Sequence, residues 1–155
     1  MAKRPIKIYA DTSVYGGVFD EDFADASQAF FDQVHRGEYI LCVSEVVHQE
    51  LLAAPKKVNE LFKKILPVAQ LLDIESGALG LQQAYIAEGV LTEKWYDDAL
   101  HVALATVAEC DIIVSWNFKH IVNFKKIPLF NAVNVLKGYR QIAIHSPLEV
   151  IDYEE

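Results

Sequence analysis

Short apolar runs alternate along this chain with longer segments whose apolar residues recur every three or four positions. That alternation constrains the fold more than any other feature. A strand, a helix and a further strand in one direction require a crossover, and a series of such units builds a mainly parallel sheet. Residues 6–10 read as the first strand, 39–43 as the second, 69–74 as the third and 111–115 as the fourth. Ile112-Ile113-Val114 gives the fourth the continuous apolar character of a fully buried strand. Gln141 to His145 reads as a last short strand that closes the chain.

The intervening segments carry helix signals. Residues 24–36 place Ala26, Ala29, Phe30 and Val34 on one face, with Gly37 as the stop. Ser44 suits the N-cap of a helix carrying Val46, Val47 and Leu51. Pro55 ends that helix or starts the next, which carries Val58, Leu61, Phe62 and Ile65 and stops before Pro67. Further helices read over 75–88 with Gly89 as C-cap, over the alanine-rich 95–109, and after Pro128 to Lys137, stopped by Gly138. The first and fourth strands then end on one edge of the sheet, at Asp11 and at Ser115–Asn117.

No repeat, low-complexity stretch or Gly/Ser linker divides the chain, and 155 residues at 52% hydrophobic content suffice for one domain with its own core. Cys42 and Cys110 form no CxxC pair, and the basic N-terminal segment lacks a long apolar stretch. The expectation is reduced thiols, neither a secretory signal nor a membrane span, and a cytoplasmic address. A formal net charge of −8 argues against a broad basic surface that wraps nucleic acid. It leaves open a nuclease whose acidic site is filled by metal and whose phosphates are held locally. Lys56-Lys57 with Lys63-Lys64, and Lys119, His120, Lys125 and Lys126, are candidates for that, or simply solvated faces.

Asp11 ends the first strand and is followed by Thr12 and Ser13, so hard oxygen ligands stand at the C-terminal sheet edge, where open α/β sheets place their sites. A helix N-cap is the competing explanation. Glu50 and Asp98 lie on predicted helices. Convergence of the three would make an oxygen-rich pocket for a divalent ion such as Mg²⁺ or Mn²⁺. Glu45 competes with Glu50, but it falls in a first turn, where the helix dipole accounts for it. Asp97 and Asp98 begin the alanine-rich helix, and Asp98, His101 and Ala105 share one face beside its buried stripe. His101 could orient a ligand, touch substrate or be a satisfied, partly buried residue. Trp116 and Phe118 flank Asn117 and would either stack on an unpaired base or pack beneath the loop; Tyr15 poses the same alternative.

Four segments taken together resemble the PIN-domain proteins, in particular the VapC-like toxin ribonucleases. They are Ile8-Tyr9-Ala10-Asp11-Thr12-Ser13-Val14-Tyr15, Val43 to Leu51, Asp98 to Ala105, and Asp111 to His120. The resemblance implies a three-layer α/β/α sandwich around a mainly parallel sheet, a single PIN-like domain over 1–155, and metal-dependent cleavage of single-stranded RNA. By position, Asp11, Glu50 and Asp98 match the catalytic and metal-binding acids, with Asp97 the adjacent alternative. Thr12, Ser13 and Ser115 match accessory hydroxyls, and His101 a further accessory group. Lys119, His120 and Trp116 are candidates for substrate contact. A homodimer and an antitoxin partner laid across the acidic groove are implied as well. Asn117 stands where the family often carries another Asp; it keeps an oxygen but loses a charge, which weakens a second metal position. A PIN-like binding module without useful catalysis is the alternative that Asn117 favours. An aspartyl-phosphate hydrolase would want an Asp two residues after the nucleophile, where Ser13 stands, and an aspartic protease would need a second Asp-Thr/Ser-Gly loop.

Overall fold

The computed structural model describes residues 4–153. Its elements run β1 (Ile6–Ala10), α1 (Thr12–Gly17), α2 (Ala24–His35), β2 (Tyr39–Ser44), α3 (Glu45–Leu52), α4 (Lys56–Ile65), β3 (Gln70–Leu72), α5 (Ser76–Ala87), α6 (Tyr96–Val107), β4 (Ile112–Val114), α7 (Ile127–Leu136), β5 (Ala143–His145) and α8 (Pro147–Val150). The strands form one five-stranded sheet in the order β3-β2-β1-β4-β5, parallel throughout. The fold is α/β, with helices flanking the sheet as in a three-layer α/β/α sandwich of PIN-like type.

The strand order places the site. The chain leaves β1 on one side through β2 and β3, then returns to the other side as β4 and β5. With right-handed crossovers, that reversal sends helices to opposite faces and opens a crevice beyond the carboxyl ends of β1 and β4. Ile8 pairs with Leu41 on one side and Ile112 on the other. Pairing continues one residue past β1, where Asp11 N donates to Val114 O at 3.2 Å.

Burial explains why these residues make these elements. Ile8, Tyr9 and Ala10 are fully buried, as are Ile113 and Val114. Along α6, every residue from Ala99 to Thr106 is buried, which its alanines permit by allowing close approach on all sides. Tyr15, Phe31 and Phe62 form an aromatic cluster beneath α1, with Tyr15–Phe31 ring centroids 5.1 Å apart. Gly37, Gly89 and Gly138 follow α2, α5 and α7 with φ of 77°, 77° and 86°, the left-handed conformation expected of helix-stopping glycines. Gly17 is required for a different reason: a Cβ there would lie 2.6 Å from Ser27 Oγ and 2.7 Å from Trp116 Nε1.

Some expectations hold and others need correction. The helix N-cap weighed for Asp11 holds: its side chain accepts from Ser13 N and starts α1, a short helix whose extent the sequence reading did not place. α4 does stop before Pro67, which sits in the 3₁₀ turn Leu66–Val68 that follows, where its missing N–H costs nothing. Likewise Pro128 lies inside the first turn of α7. The strands β3, β4 and β5 are each shorter than expected, three residues long. β5 does not close the chain: Ser146 and Glu149 form a capping box that starts α8. Cys42 and Cys110 are free and buried. Among the described residues no helix is long and apolar enough to cross a membrane; residues 1–3 of the basic N-terminal segment lie outside the described residues.

Candidate functional site

Asp11 is 4% exposed. Two hydroxyls hold its carboxylate: Ser13 Oγ donates to Oδ1 and Ser115 Oγ donates to Oδ2 at 2.7 Å. The hydroxyls are themselves aimed by backbone. Trp116 N donates to Ser13 Oγ and Asn117 N donates to Ser115 Oγ, both at 2.9 Å. Burial pushes the Asp11 pKa up, and the charge of Asp98 adds to that; the charge of His101 and the two serine bonds pull in the other direction without cancelling it. The strand end thus carries a carboxylate whose orientation is fixed and whose charge needs a cation.

His101 is the group placed to supply it. It is 2% exposed on α6, and its Nε2 lies 2.7 Å from Glu50 Oε1 on α3. Its Nδ1 lies 2.7 Å from the Tyr9 hydroxyl, which is 2.7 Å from Ser44 Oγ. Burial disfavours the charged imidazole, but the Glu50 hydrogen bond and the charges of Asp11, Glu50 and Asp98 outweigh it and raise the His101 pKa. Nε2 donates to the Glu50 carboxylate, and Nδ1 and the Tyr9 hydroxyl share a hydrogen bond. Tyr9 also shares one with Ser44 Oγ, which accepts from Val47 N at the start of α3. Partial burial alone would raise the Glu50 pKa, yet the hydrogen bond and charge of His101 prevail and hold it below the usual carboxylate range. Thr12 contributes to that lowering, although its buried Oγ1 makes no hydrogen bond of good geometry.

Asp98 stands at the first turn of α6 and is partly exposed. His120 Nδ1 donates to its Oδ2 at 2.9 Å, and the His120 ring lies against Trp95, with centroids 4.0 Å apart. Beyond Asp98 opens a cleft of about 630 Å³ whose walls include Glu50, Asp97, Asn117, Trp95, Lys94 and Lys119. A larger hollow of about 870 Å³ lies along α7, lined by residues such as Phe124, Pro128 and Val135, and has no carboxylate or imidazole in its lining. Chemistry, rather than size, selects the cleft at the sheet edge.

The structure therefore brings Asp11, Glu50, Asp98, His101, Ser13, Ser115 and Thr12 to one place. Asp97 is exposed on the cleft wall, and Lys119 and His120 line the same wall. Trp116 is 7% exposed, stacked on Phe23 at 4.2 Å, with Nε1 donating to Ser27 Oγ; of the two alternatives for it, packing holds and base stacking does not. Tyr15 is likewise buried in the core. Asn117 Oδ1 accepts from His120 N at 2.9 Å, so that oxygen shapes the turn after β4. Tyr9 and Trp95 were not anticipated. A strand's alternation of faces places Tyr9 on the same side as Asp11, so that signal was present in the sequence; Trp95 lies in a 3₁₀ turn, Glu93–Trp95, and had none.

Among the described residues, no group of three or more His, Cys, Asp and Glu side chains is arranged as a ligand shell for a metal ion. Two of the three acids each give an oxygen to an imidazole. The second oxygens, Glu50 Oε2 and Asp98 Oδ1, accept no hydrogen bond from the described residues.

No protein-family model matches the chain, and no curated protein matches it. Solved structures do match. One is VapBC2 from Rickettsia felis bound to a DNA fragment from their promoter, at 14% identity and a TM-score of 0.61, covering 91% of this chain and 98% of that one. Another is FitAcB from Neisseria gonorrhoeae, at 17% identity and a TM-score of 0.58, covering 92% and 99%. Likeness at this identity establishes the fold. It corrects the expectation that the chain is a VapC-like toxin ribonuclease of the PIN family: no family model supports that membership, and the matching structures are VapBC2 and FitAcB assemblies whose likeness does not single out a toxin chain.

Proposed function

We propose that this chain is a phosphodiester hydrolase that cleaves single-stranded regions of RNA with the aid of Mg²⁺ or Mn²⁺. One observation carries the reading: Asp11, Glu50 and Asp98, from three remote segments, converge around His101 at the switch point of a parallel sheet. The donor types suit a hard divalent cation, although the described residues do not form a ready ligand shell. The site offers carboxylate oxygens, the unengaged Glu50 Oε2 and Asp98 Oδ1, and the unpartnered buried hydroxyl of Thr12. Asp11, Asp98 and Glu50 would hold the ion. Bound there, it would neutralise phosphate charge and make water a better nucleophile at neutral pH.

The chain's own residues set the stage for that chemistry. Ser13 and Ser115 fix the Asp11 carboxylate and leave it no rotameric freedom. His101 holds Glu50 in place and offsets the mutual repulsion of the acids while no other cation is present. His120 positions Asp98 at the mouth of the cleft. Asn117, engaged in its turn, adds no charge, which favours one ion over two.

A protein partner of the antitoxin kind and a homodimer belong to the same proposal; the first is supported by the likeness to VapBC2 and FitAcB. The deciding experiment incubates the purified protein with single-stranded RNA and Mn²⁺ beside the Asp11→Asn variant. Cleavage by the native protein alone supports the reading. Cleavage that survives the substitution, or none by either, refutes it. The second reading, a nucleic-acid-binding module without catalysis, draws on the imidazole pairing of Glu50 and Asp98; it predicts RNA binding with no cleavage and no heat on manganese titration.

A further inference from the structure

The aromatic and basic wall of the cleft is not explained by metal chemistry. We propose that Trp95, Lys94 and Lys119 form a subsite for one unpaired nucleotide of single-stranded RNA, the base against Trp95 and the flanking phosphates on the two lysines. The inference rests on the ribonuclease reading for the identity of the strand, and on the cleft itself for the contacts.

Trp95 is half-buried, while Lys94 and Lys119 are exposed. The Trp95 ring is braced by His120 at a centroid distance of 4.0 Å and an interplanar angle of 33°. His120 is itself fixed by Asp98, so the platform is rigid and in register with the acids. Lys94 Nζ and Lys119 Nζ lie 5.0 Å and 5.4 Å from the Trp95 ring centroid. Cation–π contacts of exposed ammonium groups are weak, so the lysines can move off the ring when a base arrives and meet its phosphates instead. The chain carries a net charge of −8, so a polyanion is repelled except where cations collect. Lys94 and Lys119 are the lysines of this cleft's wall. A duplex keeps its bases stacked inward and cannot present one to Trp95, whereas every unpaired base has a face to offer. The other tryptophan cannot serve, because Phe23 and Ser27 enclose it.

The test separates binding from catalysis. Full-length protein is titrated with a short single-stranded RNA in EDTA, followed by tryptophan emission and by anisotropy of a labelled strand. Native protein should bind with quenching of Trp95. Trp95→Ala should weaken binding about tenfold, and Trp95→Phe should restore most of it. Lys94→Ala with Lys119→Ala should weaken binding and flatten its salt dependence, and a duplex of the same sequence should bind less well than the single strand. Undiminished binding by Trp95→Ala, or equal binding of duplex, overturns the subsite even if the protein cleaves RNA with Mn²⁺. Binding that depends on Trp95 in a protein that never cleaves upholds the subsite and removes the ribonuclease.

Discussion

Asp11 and Asp98 belong to one site and are held in opposite ways. Asp11 is enclosed, with both oxygens taken by serine hydroxyls whose own positions are set by backbone N–H groups. Asp98 opens onto the cleft, with one oxygen given to a histidine that leans on a partly exposed tryptophan. Between them lies His101, which interacts with both and is hydrogen-bonded to Glu50. The difference separates two tasks. A buried charge is costly unless hydrogen bonds and a counter-charge accompany it, so the inner half is rigid. The outer half carries exposed lysines that rest on Trp95 and are free to meet a ligand instead.

The largest expected effect tests the inner half. Asp11→Asn should abolish Mn²⁺-dependent cleavage while leaving the fold, read by circular dichroism, intact; retained cleavage would mean that the rigid half is scaffolding alone. The next concerns the central cation. His101→Leu removes the counter-charge of Glu50 and Asp11 and should cost about 2–3 kcal/mol in urea unfolding, less than a fully enclosed pair because the Glu50 side chain is 35% exposed. A cost near zero would show that His101 is neutral and the inner half needs no cation.

The same pairing has a pH signature. The folded pKa of His101 is raised above the ordinary imidazole value of 6.5. Its contribution to stability is therefore fully present below that value and is lost as pH rises through the raised folded pKa. Asp11, also raised, from 3.8, acts in the same sense: the fold favours its protonated form, a contribution present below 3.8 and lost as pH climbs through its folded value. Glu50 acts oppositely, stabilising above the ordinary carboxylate value of 4.5 and ceasing to do so as acid passes its lowered folded pKa. Stability should thus decline from neutral to mildly alkaline pH, and His101→Leu should flatten that decline in thermal melts at stepped pH. An unchanged slope would separate His101 from the acids.

Smaller effects sharpen the boundary between the halves. Gly17→Ala drives a methyl against Ser27 Oγ and Trp116 Nε1 and should cost about 1–3 kcal/mol, with single-stranded RNA binding by the folded fraction preserved. Tyr9→Phe deletes the link between His101 and Ser44 and should cost about 1 kcal/mol. A loss of RNA binding in either would show that the cleft is not independent of the packed interior.

Much of the architecture was legible because local signals agreed with the fold. β1 matches its expected span, Ser44 caps α3, and three glycines end the helices they follow. What local signals missed were limits decided by context: the ends of β3 and β5 depend on where their neighbours stop. Within the site, residue type pointed to Asp11, Glu50, Asp98 and His101. It could not rank two tryptophans, because Trp95 and Trp116 look alike in sequence and differ in what closes over them.

The order of apolar runs and helix stops determined by itself that this chain would wind parallel strands with acids at their ends, since strand and helix periodicity and capping act over a few residues. Tertiary structure alone decided that the acids would surround a buried imidazole and that Trp95 rather than Trp116 would face the cleft. Charge pairing and exposure are set by atoms that meet across 92 residues, as Tyr9 and His101 do, and no local pattern encodes them.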